Sequence, residues 1–164
     1  MASVRVHGVC VALAPSLEAP LAGVLLLGPS GAGKSDLALR LLDSCPYQRA
    51  RLVADDQVDL RTEGDDMIAS APPALPPWLE VRGVGLLEMV LEARVTLVAA
   101  FDLSASPRRL PEPAHRTFEG LSGARLPVFA LNPFEASAPA KIRASVAALL
   151  GGLLRHNDDD DARS

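Results

Sequence analysis

Two hydrophobic periodicities divide the first part of the chain into strands and a helix. Residues 4–11 alternate and cluster β-forming side chains, and residues 24–27 form a continuous apolar run of the kind found in a buried strand. From 35 to 42 the apolar positions recur at helical spacing. The pattern therefore predicts two strands followed by a helix, with a glycine-rich connection at 28–33 between the second strand and the helix.

Strand and helix patterns continue to the end of the chain. Further strands are predicted at 51–54, 58–60, 67–71, 95–103 and 126–131, and a charged strand followed by a turn is predicted at 79–85. The segments 58–60 and 67–71 flank a polar turn and predict a hairpin. A short helix is predicted at 86–92, and Ser137 is expected to cap a final helix. This order indicates an α/β fold with a central mixed sheet and flanking helices.

The glycine-rich connection matches the P-loop pattern G-x-x-x-x-G-K-[ST] in full. Its residues are Gly28, Pro29, Ser30, Gly31, Ala32, Gly33, Lys34 and Ser35. The glycines allow a backbone path that aims successive N–H groups at a phosphate, beside the N-terminus of the helix. Lys34 is expected to reach the β- and γ-phosphates, and the Ser35 hydroxyl to ligate Mg²⁺. The motif predicts a bound nucleoside triphosphate.

Length, net charge and cysteine content limit the kinds of partner and compartment that suit this protein. The chain has 164 residues, which suits one domain, predicted at 1–156, followed by an acidic tail at 157–164 that is expected to be disordered. The net charge of −4 argues against a nucleic-acid partner, since no basic stripe is present. No apolar run is long enough to span a membrane, and two cysteines without paired spacing favour a reducing cytoplasm.

Acidic and basic side chains at strand ends are the candidates for chemistry. Asp55 and Asp56 follow a predicted strand, where one carboxylate could face a metal ion and the other accept a proton; an exposed turn is the alternative. Glu80 and Arg82 lie two residues apart on an extended segment, so they are expected to point the same way. Glu80 would complete the metal shell and Arg82 would stabilise the transferred phosphoryl group, unless the two form a plain surface ion pair.

These motifs together resemble the catalytic domain of HPr kinase/phosphorylase, a bacterial enzyme that phosphorylates a serine of HPr, the phosphocarrier of the phosphotransferase system. The resemblance rests on H-G-V at 7–9, the P-loop, L-V-A-D-D-Q-V at 52–58, A-P-P at 71–73 and L-E-V-R-G-V-G at 79–85. It implies an HPr kinase and phosphoenolpyruvate carboxykinase-like fold, a homo-oligomer that is a hexamer in long family members, and ATP and Mg²⁺ as cofactors.

The resemblance also implies roles for individual residues. Asp55 would be the general base and His7 its hydrogen-bonding partner, with Arg82 as a further catalytic residue. Ser35 and Glu80 would be magnesium ligands, and Asp56 is assigned to the same metal site.

The sequence therefore predicts an ATP- and Mg²⁺-dependent serine kinase that acts on HPr or an HPr-like carrier. Two alternatives are a small-metabolite phosphotransferase and a nucleotide-dependent switch that transfers no phosphoryl group. The chain resembles a short form that consists of the catalytic domain only. The basic glycine-containing loop of bifunctional members has no counterpart; residues 132–141 stand in its place, and little phosphorylase activity is expected. Lys141 is the remaining candidate cation there.

Overall fold

The structure is a computed structural model that describes residues 2–156, so the predicted tail at 157–164 lies outside the described residues. The strands are β1 Ser3–His7, β2 Val9–Leu13, β3 Ala22–Leu27, β4 Ala50–Ala54, β5 Gln57–Glu63, β6 Asp66–Ser70, β7 Trp78–Val81, β8 Gly85–Glu88, β9 Val95–Asp102, β10 His115–Thr117 and β11 Arg125–Ala130. The helices are α1 Lys34–Asp43 and α2 Ala138–Gly151.

Nine of the strands form one mixed sheet around β9. The order is β1-β5-β6-β9-β3-β2-β4, and β10 is attached through β11, which also pairs with β9. The start of β9 is antiparallel to β6, its end is parallel to β11, and its other edge is parallel to β3. Because β3, β9 and β11 are parallel, their carboxyl ends meet at one edge of the sheet, where ligands bind in α/β folds.

The sheet curls at a corner that joins its two halves. β1 and β2 are separated only by Gly8 and pair with β5 and β4, which are separated only by Asp55 and Asp56. The Gly8 N–H donates to the Asp56 carbonyl at 2.9 Å. A Cβ on Gly8 would lie 2.9 Å from the Leu26 carbonyl oxygen, so only glycine fits without a shift of backbone. The corner therefore holds the aspartate pair next to the end of β3.

Two apolar clusters fill the molecule, one on each side of the sheet. Both helices lie in the first cluster, where Leu37, Leu41 and Ile142 are fully buried against β2, β3 and β9. The second cluster is covered by the curl of the sheet and by the segment that contains Phe118. Each fully buried leucine of this kind stabilises the fold by about 1.5–3 kcal/mol. Leu79 belongs to the first cluster and anchors the β7–β8 hairpin beside α1.

The mixed α/β class, the helix after the glycine loop and the hairpin β5–β6 are confirmed. The single strand predicted at 4–11 is wrong, because Gly8 divides it. The helix predicted at 86–92 is also wrong: residues 85–88 pair with β7 instead, across a turn in which Gly83 has a φ of +83°. Cross-strand pairing has overridden the helix propensity of Leu-Leu-Glu-Met. Ser137 does occupy the N-cap of α2, but its side chain makes no capping hydrogen bond.

Candidate active site

The 28–35 loop joins the carboxyl end of β3 to α1. Gly31 and Gly33 have φ values of +83° and +96°, which other residues rarely adopt. The Lys34 side chain is 7% exposed and folds back, so that its Nζ donates to the carbonyls of Gly28 at 2.6 Å and Pro29 at 2.8 Å. Burial lowers the pKa of Lys34, although the nearby carboxylates of Asp56 and Asp55 favour its charged form. The loop thus wraps around the Lys34 ammonium, a buried cation that is held by two of the loop's own carbonyls.

Asp55 connects three elements at the mouth of this loop. Ser35, in the first turn of α1, donates from Oγ to Asp55 Oδ1 at 2.8 Å. The backbone N–H of Glu80, in β7, donates to Asp55 Oδ2 at 3.4 Å. The structure therefore brings Ser35, Asp55 and Glu80 together from α1, the end of β4 and β7.

Asp56 turns away from that cluster and faces His7. Its φ of +70° is unusual for a residue other than glycine, although aspartate tolerates it better than most. His7 Nδ1 lies 3.2 Å from Asp56 Oδ1, and the side chains are 45% and 69% exposed. In this structure His7 is therefore paired with Asp56, whereas the resemblance implied a pairing with Asp55. The reason is the left-handed backbone at Asp56, which separates the directions of the two neighbouring carboxylates.

Arg82 lies outside the extended part of its segment. β7 ends at Val81, and the Val84 N–H donates to the Val81 carbonyl at 2.9 Å, which places Arg82 in the hairpin turn. Glu80 and Arg82 therefore do not lie on one extended segment, which was the basis for expecting them to point the same way. Within residues 2–156, no hydrogen bond or ion pair holds the exposed Arg82 side chain.

The donor set at this site suits a magnesium ion that is shared with phosphates. The Ser35 hydroxyl and the Asp55 carboxylate are hard oxygen ligands of the kind that Mg²⁺ prefers, and the backbone of Glu80 lies beside them. In the described part of the chain, no group of three or more His, Cys, Asp or Glu side chains could hold a metal by itself. Mg²⁺ commonly takes only one or two protein ligands and completes its shell with water and substrate oxygens.

Sequence reasoning missed Asp102, which lies at the end of β9 directly opposite Leu27 of β3. Its Oδ1 accepts hydrogen bonds from Ser104 N at 2.9 Å and Ser104 Oγ at 2.6 Å. Burial opposes ionisation, but these bonds and the charge of Arg116 bring the pKa of Asp102 below its usual value. The sequence did contain a signal for Asp102, because this residue ends a buried strand, just as Asp55 directly follows one.

Comparison with known proteins assigns the part of the chain that forms this corner to a family. The family model described as HPr Serine kinase C-terminal domain matches residues 1–92, which include His7, the 28–35 loop, the aspartate pair and Glu80. The chain belongs to the HPr Serine kinase C-terminal domain family. Residues 93–164 lie beyond that match.

Curated relatives agree with the family match. The HPr kinase/phosphorylase of Geobacillus thermodenitrificans is 43% identical over 86 residues, which cover 52% of this chain and 25% of the relative. HPr kinase/phosphorylase 1 of Oceanobacillus iheyensis is 45% identical over 69 residues, which cover 42% of this chain and 21% of the relative. The matched part of the chain thus spans a quarter or less of the length of these family members.

A solved structure supports the fold over nearly the whole chain. The Hpr(Ser) kinase/phosphatase from Coxiella burnetii superimposes with a TM-score of 0.70 at 21% identity, covering 92% of this chain and 98% of that one. The likeness in fold therefore extends past the family match at residues 1–92. Among residues 2–156, there is also no helix with the length and apolar character needed to cross a membrane.

Proposed function

We propose that this member of the HPr Serine kinase C-terminal domain family is an ATP- and Mg²⁺-dependent protein kinase that phosphorylates a serine of HPr or an HPr-like phosphocarrier. The observation that carries the proposal is the hydrogen bond of 2.8 Å from Ser35 Oγ to Asp55. It joins the 28–35 loop to the aspartate pair, so that the proposed phosphate site and the candidate proton acceptors lie at one corner. Phosphoryl transfer needs this combination of positioning and electrostatics.

Lys34 and the loop backbone would hold the phosphates of the nucleotide. The Lys34 Nζ now satisfies two loop carbonyls, and it would exchange them for phosphate oxygens as a point charge. Its burial strengthens the interaction, because a charge in a low-dielectric pocket is poorly screened. Bound Mg²⁺ would neutralise charge that develops on the phosphates during transfer.

The two aspartates are proposed to exchange the roles that the resemblance implied. Asp55 contacts Ser35 and the backbone of Glu80, the two residues implied as magnesium ligands, so it belongs to the metal side of the site. The Ser35 hydroxyl donates a hydrogen bond to Asp55 and keeps its oxygen lone pairs available for a cation. Asp56 is 69% exposed and can be reached by the hydroxyl of an incoming protein.

Asp56 would therefore be the general base, and His7 would orient it. The His7 imidazole at 3.2 Å limits the positions that the Asp56 carboxylate can take. Arg82, at the tip of the hairpin and without a partner among residues 2–156, is proposed to contact the transferred phosphoryl group.

The partner and setting are parts of the same proposal. Exposed apolar side chains on and after the β7–β8 hairpin, Val84, Leu86 and Val90, lie close to the site along the chain and would suit a protein partner or a second copy of this chain. A cytoplasmic location fits the free cysteines Cys10 and Cys45 and the need for ATP. A homo-oligomer remains a prediction, which light scattering on the purified protein would check.

The decisive experiment mixes the purified chain with radiolabelled ATP, Mg²⁺ and HPr. We expect label on HPr and none on an HPr variant whose acceptor serine is replaced by alanine. A Lys34→Ala variant of the chain is the matched control for contaminating kinases. Label on a small metabolite but not on HPr would support the metabolite phosphotransferase instead, and nucleotide binding without transfer to any acceptor would support the switch.

A further inference from the structure

The connection from β11 to α2 passes over the 28–35 loop and presents an aromatic ring there. A Cβ on Gly33 would lie 3.4 Å from Phe134 Cε1 and 3.5 Å from Pro133 Cγ, so this dipeptide covers the backbone that precedes Lys34. Phe134 is nevertheless 74% exposed, which leaves much of the ring open to solvent. An exposed ring of this size against a candidate phosphate site calls for an explanation, since burying it would be favourable.

The backbone on either side of Phe134 is held by hydrogen bonds from α1 and from the sheet. From α1, the Arg40 guanidinium donates to the Pro133 carbonyl and, at 3.4 Å, to the Glu135 carbonyl. From the sheet, the Leu131 N–H donates to the Asp102 carbonyl at 3.1 Å. These hydrogen bonds hold the backbone that carries the ring beside the loop.

A local turn adds to this support. The Phe134 N–H donates to Asn132 Oδ1 at 3.0 Å, an Asx turn that sets the direction in which the residue leaves the chain. The Ala138 N–H then donates to the Glu135 carbonyl at 3.0 Å and leads directly into α2. Phe134 thus lies between two locally bonded turns, which limits its backbone motion.

We propose that Phe134 is the platform on which the base of the bound nucleotide stacks. The inference rests on the proposed function, in which the 28–35 loop holds the phosphates. The 131–137 connection follows the carboxyl end of β11, the edge of the sheet where nucleotides bind in α/β folds. A base that leaves the loop on the Gly33 side meets the ring of Phe134, and aromatic faces bind bases mainly by stacking.

Stacking has a consequence for specificity. The face of a phenyl ring offers no hydrogen-bond donor or acceptor, so it reads no base edge. Phe134 should therefore contribute equally to the binding of ATP and GTP. It should contribute nothing to inorganic tripolyphosphate, which has the phosphates without the base.

Isothermal titration calorimetry on the full chain tests this with Mg²⁺ and three probes: ATP, GTP and tripolyphosphate. Phe134→Ala should weaken the binding of ATP and GTP by a similar factor, roughly 5- to 150-fold, the range typical of one base stacked on an aromatic side chain. Tripolyphosphate should bind within about twofold of wild type, since the loop and Lys34 are retained. Phe134→Tyr keeps an aromatic face and should keep the affinity. Leu17→Ala is the matched control, because it also removes an exposed apolar side chain but at a position distant from Phe134 in the sequence.

Three results would overturn the inference, and one of them would also contradict the proposed function. Equal losses for ATP and tripolyphosphate in Phe134→Ala would mean that the ring only supports the loop. Unchanged nucleotide affinity with a raised KM for HPr would assign the ring to the protein substrate. If the wild-type chain bound neither ATP nor tripolyphosphate, the proposed function would fail, and the stacking platform with it.

Discussion

Replacing Asp56 by asparagine separates the two proposed roles of the aspartate pair. The amide keeps the shape of the side chain but cannot accept the proton of a serine hydroxyl. Loss of a general base typically costs 10²–10⁴-fold, so phosphoryl transfer to HPr should fall by roughly 100-fold or more. That factor corresponds to at least about 2.7 kcal/mol of transition-state stabilisation. ATP affinity should stay within a few-fold, because removing a negative charge near Lys34 does not weaken the binding of an anion.

The structure also limits what this variant can do to stability. The Asp56 side chain is 69% exposed and its partner His7 is 45% exposed, and solvent-exposed ion pairs contribute about 0–1 kcal/mol. Asparagine accepts the φ of +70° at this position, so no new backbone strain arises. The free energy of unfolding should therefore change by less than about 1 kcal/mol, and the melting temperature by less than about 4 °C. A 100-fold loss of rate at 25 °C could not then be explained by unfolding.

The assay is single-turnover transfer of label to HPr, with nucleotide affinity measured by calorimetry on the same preparations. Asp55→Asn is the matched variant, and it should mainly impair the response to Mg²⁺, because Asp55 contacts Ser35. The reasoning is refuted if Asp56→Asn turns over near the wild-type rate while Asp55→Asn loses about 100-fold with its ATP affinity intact. Asp55 would then be the base, as the family resemblance implied.

Three further predictions concern the loop and the reverse reaction. Lys34→Ala should lower phosphorylation by roughly 100-fold or more with the circular dichroism spectrum retained, and near-normal turnover would show that the loop is not the phosphate site. Ser35→Ala should weaken Mg²⁺-ATP much more than free ATP in calorimetry; equal losses would remove its role as a metal ligand. Phosphorylated HPr incubated with the chain, Mg²⁺ and millimolar phosphate should release little pyrophosphate, because the Lys141 ammonium is paired with the Glu135 carboxylate. Rapid, phosphate-dependent release would restore a bifunctional enzyme.

The parts of the site that depend on neighbouring residues could be predicted from the sequence. The 28–35 loop and α1 form a contiguous motif whose glycines and helix start are determined locally, and both lie where the pattern predicted them. The Asp55–Asp56 pair was found for the same reason, since it ends a short apolar strand. The β5–β6 hairpin also follows from a local turn between two strands.

Only the tertiary structure decided which side chains meet. The left-handed backbone at Asp56 directs that carboxylate to His7 and leaves Asp55 with Ser35, although the two aspartates are adjacent in sequence. Pairing with β7 turned residues 85–88 into a strand, and the hydrogen bonds of Arg40 brought Phe134 to a loop about 100 positions earlier in the chain. Such contacts depend on register, curl and packing between distant segments, whereas a sequence motif reports only the conformational preferences of residues that are covalent neighbours.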